Sequence, residues 1–100
     1  MEWQPATIDD VKAIVRKDLG KCNAAQIEAF LRFAVEPYTA QLLRYGKPEN
    51  AVVIARKDAE AMYWEDVEEG FNISRVGSDG SLLDHRCNQD DLSLALQHWA

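Results

Sequence analysis

The chain has 100 residues, 47% of them hydrophobic and 28% charged, with three each of Trp, Tyr and Phe. Such proportions exclude a disordered or low-complexity chain and fit one globular domain that buries roughly two thirds of its unfolded surface. Seventeen acids against eleven bases give a net charge of −6, which argues against a phosphate-backbone partner. No apolar run approaches the roughly 20 residues of a membrane span.

The first ten residues, MEWQPATIDD, hold neither the basic stretch nor the apolar run of a secretory signal. The expectation is a cytoplasmic protein with Cys22 and Cys87 as reduced thiols. Thr7 and Asp10 then have the spacing of a capping box. Ile8, Val11, Ile14, Val15 and Leu19 recur at three- and four-residue intervals, which predicts a helix over 8–19 with one apolar face. Gly20 stands where a C′ glycine ends such a run.

Asn23 and Gln26 repeat the capping pattern. The stripe Ile27, Phe30, Leu31, Ala34, Val35, Tyr38, Leu42 and Tyr45 keeps helical phase through Pro37. It predicts one helix over 24–45, kinked where the proline removes a hydrogen bond, and stopped by Gly46 and Pro48. The second helix carries Glu28, Arg32 and Glu36 on its polar side. A helix-turn-helix reader of DNA needs a basic face there, so no nucleic-acid partner is expected.

The period then changes. Ala51–Ala55 is a compact, β-branched run suited to a buried strand, and 56–60 is a polar break able to close a hairpin. Residues 62–67 alternate as a half-buried strand does, and so do Phe71 to Ser74. Gly77-Ser78-Asp79-Gly80 is the clearest turn signal, expected to join strands near 71–76 and 81–86. A terminal helix capped by Asn88 or Asp90 gathers Leu92, Ala95, Leu96 and Trp99 on one face. The predicted class is α+β: two N-terminal helices, a four-stranded antiparallel meander and a C-terminal helix.

Chemistry concentrates in residues 58–74, which hold six acids and no Lys or Arg, enough to account for the whole net charge. Tyr63, Trp64, Glu65, Asp66, Glu68 and Glu69 are its candidate binding residues. Glu65, Asp66, Glu68 and Glu69 supply charge for a basic protein partner, and Tyr63 and Trp64 supply apolar contact. The competing reading makes the acids a solvated strand edge, with Trp64 in the core. Strand alternation puts Glu65 and Asp66 on opposite sides, which only a bulge near Glu68-Glu69-Gly70 would undo.

Enzyme chemistry finds little support. Asp66, Glu68 and Glu69 are hard oxygen donors, but their spacing matches no EF-hand loop. The pairs Glu65/Glu69 and Asp66/Glu68 lack the contrasting environments that separate a catalytic acid from its base. His85-Arg86-Cys87 has neither C-x-x-C nor H-x-x-x-H spacing, so no metal or cofactor is expected. In size, charge and acidic patch the chain resembles small acidic bacterial inhibitors, the immunity proteins and antitoxins that neutralise basic toxin domains. No motif accompanies the likeness, and no site residue is carried over from it. The expected function is non-enzymatic binding of a basic protein, with no membrane role. The alternatives are a small-molecule or accessory enzyme domain with a pocket near His85–Cys87, and a subunit that dimerises through a sheet edge.

Overall fold

The computed structural model describes residues 6–44, 46–86 and 88–99. Tyr45, which ends the expected second helix, and Cys87, which the alternative reading places at a pocket with His85, lie outside the described residues. The order is α1 (Ile8–Leu19), α2 (Ala24–Phe33), β1 (Ala34–Arg44), β2 (Lys47–Lys57), β3 (Glu60–Glu65), β4 (Gly70–Arg75) and α3 (Leu92–Gln97). The strands form one antiparallel sheet in the order β1-β2-β3-β4. The α+β class therefore stands, with two helices before the sheet and one after it. No described helix is long and apolar enough to cross a membrane.

Both N-terminal helices start where their caps are. Thr7 Oγ1 accepts the Asp10 N–H at 3.1 Å while Asp10 returns a bond to the Thr7 N–H at 3.0 Å. Asn23 and Gln26 do the same at 2.8 Å each way. Gly20 has an ordinary right-handed conformation, φ −64°, so the end of α1 does not draw on glycine's freedom. Asp91, not Asn88 or Asp90, caps α3 by accepting the Leu94 N–H at 3.0 Å.

Two expected elements are corrected. The helix expected over 24–45 stops at Phe33, and Pro37 lies in strand β1 rather than at a helix kink. A proline disfavours helical geometry at the residue before it, and Tyr38, Ala40 and Leu42 satisfy a two-residue period as well as a helical one. The β1–β2 register is irregular between Ala34 and Tyr38, so Pro37 sits in a bulge of an outer strand, where a missing N–H does least harm. Gly46, at φ +77°, lies in the turn between β1 and β2 instead of closing a helix.

The strand expected over 81–86 is the second correction. Only Leu82 pairs there, as isolated bridges to Leu42 of β1 and to Val76. The GSDG turn forms as expected, with Gly80 N–H donating to the Gly77 carbonyl at 2.9 Å. Beyond Leu82 the chain runs irregularly alongside β4 until α3 begins.

One face of the sheet is apolar. Val52, Ile54, Met62 and Phe71 pack there against Val11 and Val15 of α1 and against Leu92, Leu96 and Trp99. The other face holds Val53, Ala61, Tyr63, Leu42 and Leu82, with Glu65, Asn72 and Ser74 also buried.

Candidate functional site

The two sides of β3 divide the acidic run. Tyr63 and Glu65 point to the face away from the helices and are 0% and 2% exposed. Trp64 lies on the helix side, half-buried, its ring edge-to-face with Phe71 at 5.0 Å. Asp66 and Glu68 are half-buried in the β3–β4 turn, and Glu69 is exposed with φ +55°. The structure therefore does not gather the six candidates into one surface.

The buried polar groups hold the irregular segment after Leu82. Ser74 Oγ accepts the Asp84 N–H at 2.8 Å. The Tyr63 hydroxyl accepts the Arg86 N–H at 2.9 Å and lies 3.1 and 3.3 Å from the Asp84 and Arg86 carbonyls, to which it donates. Glu65 Oε2 meets His85 Nε2 at 3.1 Å, and its Oε1 accepts the Val67 N–H at 2.8 Å. Asn72 exchanges two bonds with the backbone of Asn88, both 3.0 Å. Tyr63, Asn72 and Ser74 thereby satisfy main-chain groups that a regular strand would satisfy by pairing with its neighbour.

Close packing reinforces the arrangement. A Cβ on Gly70 would stand 2.3 Å from the Asn88 carbonyl oxygen and 2.6 Å from Gln89 Cα. Only glycine lets the two backbones approach this closely. At the other end of β4, Arg75 donates from its backbone N–H, Nε and Nη2 to Asp84 at 2.9, 3.0 and 2.9 Å. Those bonds hold the Asp84 carboxyl down to about 2.

Of the acidic run, Glu65 and Asp66 border a cavity of about 340 Å³, whose wall also includes Thr39, Leu42, Glu49 and Trp64. Asp66 accepts the Ala6 N–H with both oxygens, at 3.0 and 3.1 Å. Burial raises its carboxyl above the usual aspartate value, against the lowering effect of the Ala6 and Trp64 hydrogen bonds, and the Glu65 and Glu49 charges push the same way as burial. Glu49 reaches this cavity from β2 because the register sets Val52 opposite Trp64. No local signal marks Glu49 in the sequence; only the strand pairing brings it to the acids.

A second cavity, also about 340 Å³, lies along the outer edge of β4 and shares no lining residue with the first. Arg86 and Asn88 line it. Among the described residues no three His, Cys, Asp or Glu side chains are placed to hold a metal ion. Cys22 is free, and burial raises its thiol. No protein-family model matches the chain, and neither curated proteins nor solved structures give a significant match.

Proposed function

We propose that the chain is a small non-enzymatic binding module for a basic protein partner, with an immunity- or antitoxin-type inhibitor as its most concrete form. The observation that carries this reading is the cavity bounded by Trp64, Glu49, Glu65 and Asp66. It is the right chemistry for one Lys or Arg side chain: an indole for cation–π contact and carboxylates to pair the charge. A cation seated there offsets both the burial and the repulsion that raise Asp66. Glu68 and Glu69, on the adjoining turn, extend the negative potential outward and steer the approach. Tyr63 acts by holding the sheet's cover in place, not by touching the partner.

The test is binding of a short oligo-arginine peptide, measured at rising salt. Affinity should fall as salt rises. Glu49→Gln with Asp66→Asn should weaken binding at least tenfold, about 1.4 kcal/mol. Glu68→Lys with Glu69→Lys should slow association more than it speeds release. Undiminished affinity in the Glu49/Asp66 variant would exclude the cavity as the binding site.

A further inference from the structure

The second cavity sits at a gap in the sheet's outer edge. In an antiparallel ladder, alternate residues of an outer strand turn their backbone groups away from the neighbouring strand. On β4 those residues are 71, 73 and 75. The Phe71 N–H donates to the Asp90 carbonyl at 2.8 Å, and the Arg75 carbonyl accepts the Leu83 N–H at 3.0 Å. The Arg75 N–H goes to Asp84. Between these two attachments the chain is drawn over the other face by Tyr63, Glu65 and Asn72. Ile73 is left between them, its N–H and C=O directed outward, and among the described residues no hydrogen bond outside the ladder reaches it.

The cavity opens at that point, and Ile73, Arg86, Asn88, His98 and Trp99 are on its wall. Trp99 is only 4% exposed, yet its indole N–H has no acceptor among the described residues. The acids that also border the space already face bases. Asp84 is held by Arg75 at 2.9 Å, Asp90 lies 3.4 Å from His98, and Glu60 is the cross-strand neighbour of Arg75. Arg86 enters no ion pair among the described residues. The unused groups are thus three donors (the Ile73 N–H, the Trp99 indole N–H and the Arg86 guanidinium) and one acceptor, the Ile73 carbonyl.

We propose that this cavity binds a secondary amide that carries a carboxylate, the chemistry shared by an N-acylated amino acid and the last residue of a peptide. The Ile73 carbonyl accepts the ligand's amide N–H, and the carboxylate of the same ligand residue accepts the Ile73 N–H, as the last residue of an added antiparallel strand would, and also meets Arg86. The Trp99 N–H gains an acceptor from the same carboxylate. Because the two cavities have no residue in common, this site stands or falls independently of the basic-partner reading.

The experiment is an amide-resolved NMR titration of the labelled protein with N-acetylglycine, N-acetylglycinamide, acetate and N-acetyl-trialanine. N-acetylglycine should shift the Ile73 amide and the Trp99 indole signals. Its amide-capped analogue and acetate should bind at least tenfold more weakly, and Arg86→Gln, a change at an exposed side chain, should cost at least tenfold. Tighter binding of N-acetyl-trialanine would assign the site to a peptide end, and equal binding would assign it to a small acylated amino acid. Absence of shifts at Ile73, equal binding of acetate, or an Arg86→Gln variant that binds as well as the parent would each overturn the proposal.

Discussion

The two faces of this sheet are covered in different ways, and the difference explains where its polar residues lie. Helices cover one face, and a helix satisfies its own backbone hydrogen bonds, so Val52, Ile54, Met62 and Phe71 pack there into one apolar cluster. An irregular chain covers much of the other. Its N–H and C=O groups need partners that no helix or ladder supplies, and the sheet provides them through Tyr63, Asn72 and Ser74. A sheet face under a helix can be wholly apolar. A face under irregular backbone needs buried hydrogen-bonding groups.

The strongest way to break this contrast is at Gly70. An alanine methyl there meets the backbone of Asn88 and Gln89, which cannot rotate aside as a side chain does. Gly70→Ala should cost about 3 kcal/mol in a urea titration, at the upper end of overpacking effects. It should also strip protection from the Phe71 amide, which donates to Asp90. A variant of parental stability would show that β4 and the covering chain are not held together this tightly.

Tyr63→Phe tests the polar side of the contrast at constant volume. It removes one hydroxyl that serves the Arg86 N–H and two carbonyls. Leaving buried backbone groups without partners should cost about 1–3 kcal/mol. Met62, the neighbour on the helix face, is the control: a volume-conserving Met62→Leu should cost less than about 1.5 kcal/mol. Hydrogen exchange should speed at the Arg86 amide in the tyrosine variant only. Equal effects of the two substitutions on that amide would remove the distinction between the faces.

The same contrast accounts for what was legible in the sequence. The helix caps Thr7/Asp10 and Asn23/Gln26 are local signals, and both operate as the spacing implies. The stripe Leu92, Ala95, Leu96 and Trp99 was equally local, and all four are buried. Strand β1 was hidden because Tyr38 and Leu42 fit a period of four as well as a period of two. Pro37 fits an extended chain better than a kinked helix, because it disfavours helical geometry at the residue before it. For the candidate site, Glu65 ends β3 on the face away from the helices and Asp66 belongs to the turn that follows, so both border one cavity despite the alternation. That the Glu65 side would be roofed by residues some twenty positions later was not a local matter. Glu65 and His85 find each other across the fold, and no spacing rule reports such a partner.

The smallest expected effect concerns acid. Arg75 holds Asp84 through three bonds, and the carboxyl's folded value falls from the ordinary 3.8 to about 2. A depressed value means that the bonds favour the ionised folded form. Their contribution is therefore fully present above 3.8 and is lost as pH falls through about 2. Because the Arg75 side chain is exposed, solvent screens the pair and keeps its contribution small. Urea midpoints measured at descending pH should fall across that window, and Asp84→Asn should start lower and fall less. Some slope will remain, because Asp10 and Asp91 are also lowered, and they serve helix caps. An Asp84→Asn curve that superimposes on the parent's would place the acid sensitivity in those caps and in Asp79 of the GSDG turn, whose carboxyl is also lowered, and not in the Arg75–Asp84 pair.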